Sequence, residues 1–132
     1  MPSLPEPYIK RMLSMPLSEG VVIGAFLPSG ALVGWIDLVE TAPGVGDIGV
    51  LVADPWQGMG IGKRLVAEGA KVARERSVAL LTADVLHSNE RAKKILSAWE
   101  GASWRYSAGL VNYALPVERA PLPVSTVQFS EE

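Results

Sequence analysis

The segment Asp47-Ile-Gly-Val-Leu-Val-Ala-Asp54-Pro-Trp-Gln57-Gly58-Met59-Gly60-Ile61-Gly62-Lys63-Arg64 constrains the fold more than any other part of the chain. It predicts a buried strand, a glycine-rich turn and the first turn of an amphipathic helix in direct succession. Glycine at 58, 60 and 62 keeps side chains away from the backbone N–H groups where the helix begins. Such a terminus carries roughly half a positive charge and several unpaired donors, which suits a phosphate or pyrophosphate. Lys63 and Arg64 add full charges just beyond it. The segment therefore predicts a phosphorylated ligand.

Known glycine signatures narrow that prediction. A P-loop needs G-x-x-x-x-G-K-[ST], but Gly62-Lys63 is followed by Arg64, which offers no hydroxyl for magnesium. A dinucleotide fingerprint needs G-x-G-x-x-G, and Gly58-Met59-Gly60-Ile61-Gly62 is G-x-G-x-G, although Asp84 lies near the distance that fingerprint requires. Its turn also follows an opening strand, whereas the first half of this chain reads as antiparallel strands.

Gln57-x-x-Gly60-x-Gly62 instead resembles the Q/R-x-x-G-x-G/A signature of the GNAT superfamily of N-acetyltransferases. Asn89, in Val85-Leu-His-Ser-Asn89-Glu-Arg-Ala, is similar to the asparagine that opens the helix after the family's fifth strand. The phrasing around both motifs resembles the bacterial protein-lysine acetyltransferase branch, and the resemblance covers about residues 20–116. It implies an α/β (α+β) GNAT fold: a mixed, mostly antiparallel twisted sheet with flanking helices, here with shortened N-terminal elements. It also implies acetyl-CoA as cosubstrate and a primary amine as acceptor, with a protein lysine as the leading acceptor class. Val50, Leu51 and Val52 of the strand entering the turn, and Gln57, Gly58, Met59, Gly60, Ile61, Gly62, Lys63 and Arg64 of the turn and helix, are then the cofactor-binding residues. Asn89 would bond the pantetheine arm.

In the resembling branch a glutamate near the start of the same strand is the general base, and Asp47 occupies the matching position. A solvated carboxylate at a strand start is the plainer reading of the same residue. A base is needed because an amine with a pKa near ~10.4 is almost wholly charged at pH 7. Where many family members place a leaving-group tyrosine, seven residues after Asn89, this chain has Leu96. Tyr106 and Tyr113 are the alternatives, although packing is the simpler role for both. Lys93 and Lys94 are candidates for the 3′-phosphate, and a solvated helix face explains them equally. A catalytically weak CoA-binding or scaffold module is the competing functional class.

Along the rest of the chain, residues 1–19 form a short N-terminal segment. Its Tyr8, Ile9, Met12 and Leu13 predict one or two helical turns at most. Strands are expected at 21–27, 31–39, 46–53 and 78–85, the third and fourth buried on both faces, with a helix from Ile61 to about Arg76. Ser88 is the expected N-cap of a second helix. A hairpin around Gly109 and an extended or disordered tail from 117 to 132 complete the chain. The four tryptophans are expected in the core or an interface.

Composition sets the outer limits. A chain of 132 residues can bury a core without disulfides or metals. It has no cysteine, so thiol chemistry is unavailable and a cytoplasmic location is expected. A single histidine, His87, gives no basis for a metal site. A net charge of −2 argues against nucleic acid, and the N-terminus lacks the apolar run of a membrane span. Apolar residues make up 48% before 13 glycines are counted, a richness that favours a homodimer.

Overall fold

A computed structural model describes residues 8–13 and 20–121. Its seven-stranded sheet has the order β1-β2-β3-β4-β5-β7-β6. The first four strands are β1 (Tyr8–Leu13), β2 (Gly20–Phe26), β3 (Leu32–Ala42) and β4 (Val45–Val52), and they form an antiparallel meander. Helix α1 (Ile61–Glu75) then crosses to β5 (Leu80–Leu86), which lies parallel to β4. Helix α2 (Glu90–Ser97) leads into the hairpin of β6 (Ser103–Ser107) and β7 (Leu110–Pro116), with β7 antiparallel to β5. This is the mixed, mostly antiparallel α/β sheet that the sequence predicts.

The N-terminal segment differs from expectation. Tyr8–Leu13 is a strand, not a helical turn, and it pairs along its whole length with β2, from Tyr8↔Phe26 to Leu13↔Val21. Strand formation satisfies an edge of β2 that a helical turn would leave unpaired. The first strand is therefore present, and only residues 14–19 separate it from β2. At the other end, residues 117–119 form a 3-10 turn with Val117 buried, where an extended or disordered tail was expected; residues 122–132 of that tail lie outside the described residues. The indole of Trp99 donates to Pro116 O at 2.8 Å, and Arg74 reaches Val117 O at 3.1 Å.

Both helices pack on one face of the sheet. Alternation puts Val21, Ile23, Ile36, Leu38, Ile48 and Leu81 on that face, and α1 buries Ile61, Leu65, Val66, Ala70, Val72 and Ala73 against it. The approach is close: a Cβ on Gly69 would stand 2.6 Å from Ile36 Cδ1. Full burial of each larger aliphatic side chain contributes about 1.5–3 kcal/mol. Helix α2 lies beside α1, with Ile95 Cδ1 3.2 Å from where a Gly62 Cβ would be. On the opposite face alternation places Trp35, Asp37, Asp47, Leu51, Thr82, Asp84 and Asn112. No helix covers that face among the described residues. None of the described helices is long and apolar enough to cross a membrane.

Candidate active site

Strands β4 and β5 are paired at three rungs only, Val45↔Leu80, Gly46↔Leu81 and Asp47↔Thr82. On its other side β4 is paired with β3 as far as Val52. The two parallel strands therefore part after Asp47, and the sheet opens between them. The Ala53 N–H donates to Val33 O, so alternation turns the Ile48, Val50 and Val52 N–H groups away from β3 and toward the opening. This opening explains a second departure from expectation. The apolar run of β4 is not buried on both faces: Val50 is 39% exposed and Leu51 is 51% exposed.

A cleft of about 210 Å³ lies between the parted strands and the helices. Ile48, Gly49, Val50, Ala83, Asp84, Asn89 and Leu96 are among the residues lining it. Its apolar walls suit a slender chain rather than a charged one.

The cleft leads to the glycine turn. Gly58 (φ +80°) and Gly60 (φ +84°) are in the left-handed region that side chains rarely adopt, and no atom stands within 4 Å of a Cβ built on Gly60. Gly60 is the N-cap of α1, with no side-chain cap and no acid in the first turn. The backbone donors of this terminus are thus left for an outside acceptor, with Lys63 and Arg64 on the first turn. The described residues fit a pyrophosphate at the turn and a pantetheine-like arm in the cleft.

The side chain of Gln57 is engaged within the turn. It donates to Val52 O at 3.0 Å and to Asp54 Oδ1 at 3.1 Å, and it accepts from Arg91 Nη1 at 2.9 Å. Gln57 shapes the loop, and Arg91 of α2 brings its guanidinium to 3.4 Å from where a Gly58 Cβ would be. The sequence reading missed Arg91, because its partner lies 34 residues away.

Asn89, and not Ser88, caps α2: its Oδ1 accepts from Ala92 N at 3.1 Å. Lys93 is tied to His87 O and to Glu90, which accounts for its ammonium locally. Leu96 is buried and lines the cleft. Tyr113 is buried with its hydroxyl 2.9 Å from Ser97 Oγ, while Tyr106 is exposed and stacks beside His87. Of the tryptophans, Trp99 is buried, whereas Trp104 is 43% exposed on β6.

Asp47 sits at the closed end of the opening, on the helix-free face, next in the chain to the cleft-lining Ile48 but not itself among the lining residues. It is exposed, and Thr82 Oγ1 donates to its Oδ1 at 2.7 Å. Asp37 stands diagonally across on β3. Burial pushes the Asp37 carboxyl above the usual aspartate range; the Trp35 indole and the Gly49 amide pull it back, and the charge of Asp47 pushes it up further. The third carboxylate of this face, Asp84, accepts from Asn112 Nδ2 at 2.6 Å. A phosphorylated carrier on the helix side and a cationic acceptor on the carboxylate side would meet in the gap between β4 and β5.

Solved structures share this fold. The structure of the GNAT domain of S. lividans PAT aligns with a TM-score of 0.68 at 22% identity, over 78% of this chain and 64% of that one. A ribosomal-protein-alanine N-acetyltransferase from Brucella melitensis aligns with a TM-score of 0.62 at 24% identity, over 74% of this chain and 68% of that one. An IAA acetyltransferase from Bacillus cereus gives 0.65 at 18% identity, over 83% of this chain and 99% of that one. Identities this low speak to the fold alone. No curated protein matches the sequence. The model of the acetyltransferase (GNAT) family matches residues 3–97, and the chain belongs to that family of acyl-CoA-dependent N-acetyltransferases.

Proposed function

We propose that this protein transfers an acetyl group from acetyl-CoA to a primary amine, with a protein lysine as the leading acceptor, and that Asp47 is the general base. The observation that carries the reading is the parting of β4 from β5 immediately beyond Asp47, which links the uncapped glycine turn to the carboxylate face. Bound acetyl-CoA supplies an activated thioester and a good leaving group.

The backbone amides at Gly58 to Gly62 and the exposed Lys63 hold the pyrophosphate, Arg64 having its Nε and Nη2 buried, and Asn89 borders the pantetheine arm. Met59 and Ile61 alternate with these glycines, Met59 exposed and Ile61 buried in the core. The Val50 N–H, turned into the opening, donates to the thioester oxygen as charge develops there. Leu51 and Val52 frame that amide, and Val52 O anchors Gln57. Asp47 takes the proton of the incoming ammonium, through a water where the aspartate falls short. The nitrogen–carbon bond forms as the carbon–sulfur bond breaks, the thiolate leaves with the electron pair, and the second proton that the nitrogen sheds passes through solvent to the thiolate.

Trp104 and Tyr106 on the exposed edge strand β6 support the homodimer expected from composition. A second reading, a CoA-binding module with weak catalysis, draws support from Leu96 in the family's tyrosine slot and from the Tyr113 hydroxyl being engaged by Ser97.

Calorimetric titration with acetyl-CoA, beside dephospho-CoA and NAD, tests the cosubstrate; acetyl-CoA binding with no NAD signal is expected. Asp47→Asn separates the two readings. The enzyme loses turnover by roughly 100-fold or more with acetyl-CoA affinity intact, as for removal of a general base. Turnover that survives the substitution refutes the assignment of Asp47.

A further inference from the structure

We infer that Thr82 is a positioning residue for Asp47, fixing its carboxylate where β4 and β5 part; the inference rests on the reading of Asp47 as the base. Asp47↔Thr82 is the last rung before the opening, and the 2.7 Å bond from Thr82 Oγ1 to Asp47 Oδ1 spans it. Asp47 is exposed, and an exposed aspartate divides its time among staggered rotamers. Thr82 is half-buried and β-branched, so its χ1 is stiff and its hydroxyl position follows the backbone. A hydroxyl donating to a carboxylate forms one of the stronger classes of hydrogen bond. The bond engages Oδ1, and the amine proton is then taken on Oδ2.

The other carboxylates of this face are held differently. Asp37 takes its donors from Trp35 and Gly49, and Asp84 is tied to Asn112 on β7. Asp47 is the carboxylate tied across the last paired rung, at the closed end of the opening. Its side chain is one methylene shorter than glutamate, so a wrong rotamer costs it more reach. Misplacing a catalytic group by about 1 Å can cost 100-fold in rate.

The experiment follows thiol release from acetyl-CoA by the full chain with a thiol reagent, in which a protein without cysteine gives no background. Nα-acetyl-lysine amide serves as the amine, and a second series without amine uses water as acceptor. We expect Thr82→Val to lower kcat ~10-fold, with Tm and the KM for acetyl-CoA unchanged, because only the aim of the base is lost. Thr82→Ser, which restores the donor, should recover kcat to within about twofold. In an Asp47→Asn background Thr82→Val should cause no further loss, since the two residues act as one unit.

An unchanged kcat in Thr82→Val, while Asp47→Asn abolishes turnover, overturns the inference and leaves the base assignment standing. A loss of the same size in the Asp47→Asn background also overturns it, because Thr82 then acts without Asp47. Full turnover in Asp47→Asn alone removes the base assignment, and the inference with it. A native chain that releases no thiol with either acceptor overturns both.

Discussion

Helices α1 and α2 start within reach of one another and are finished in opposite ways. The N-terminus of α2 is closed: Asn89 caps it, and Glu90 supplies an acid in its first turn. The N-terminus of α1 has Gly60 as N-cap, no side-chain acceptor and no acid. Both carry the same partial positive charge, but α2 satisfies one of its donors with the Asn89 side chain whereas α1 has no side-chain acceptor. Capping by a side chain contributes about 1 kcal/mol, which α1 forgoes. The bare terminus is a sign of function because the neighbouring helix shows that this chain has caps at its disposal.

The strongest way to break the contrast is to fill the bare terminus. Gly60→Val puts a β-branched side chain at φ +84° directly over the donors. Acetyl-CoA affinity is expected to fall by ~100-fold or more, the scale of one lost charge-assisted anchor plus steric exclusion. Affinity retained in calorimetry, with a native circular dichroism spectrum, would show that the anion is held elsewhere. A gentler change is Lys63→Glu, which gives α1 the acid that α2 has in Glu90. That reversal should weaken acetyl-CoA by about tenfold, an effect that shrinks with added salt.

The same contrast can be sharpened from the α2 side. Asn89→Ala removes the cap bond to Ala92 and should cost about 1 kcal/mol, read as a lower Tm. Asn89→Asp keeps a capping oxygen and loses the amide donors. Full thermal stability with weaker acetyl-CoA binding in that variant would assign the amide to the pantetheine arm. Equal affinity would confine Asn89 to capping. Arg91→Ala cuts the tie to Gln57 that links the two termini and should change stability by under about 1 kcal/mol, because the pair is exposed.

The smallest effect is expected at Asp37, far from both termini. Its folded pKa stands above the unfolded value, so its protonated form favours the fold below the unfolded pKa. That contribution is lost as pH rises through the folded pKa. Asp37→Asn should therefore melt slightly above the native chain at pH 7, and the gap should close on acidification into the carboxylate range. A gap that is constant with pH would show that Asp37 does not titrate differently on folding.

The β4–turn–α1 unit was legible because its determinants are local: an apolar run, glycines that permit positive φ, and a helical stripe. Strand β1 was not. Tyr8, Ile9, Met12 and Leu13 recur at helical spacing, and the partner that makes them a strand lies across residues 14–19 in β2. The exposure of Val50 and Leu51 was hidden for a similar reason. An apolar run implies two-sided burial only while both neighbouring strands stay paired, and β5 leaves after Thr82. Thr82, Asp37 and Arg91 carry no motif. Their relevance comes from partners 35, 12 and 34 positions away, contacts that no pattern along the chain can encode.

The face of the sheet that carries Asp47 has no helix above it among the described residues, and residues 14–19 are the whole link between β1 and β2. On the proposed role of Asp47, an acceptor thus meets, among the described residues, a floor without helical walls. A floor of this kind distinguishes amines poorly by enclosure, and it admits a lysine standing on a folded protein as readily as one on a short peptide. Choice among acceptors then becomes a matter of how often each is brought to the surface, and of what the carrier itself touches on the way in.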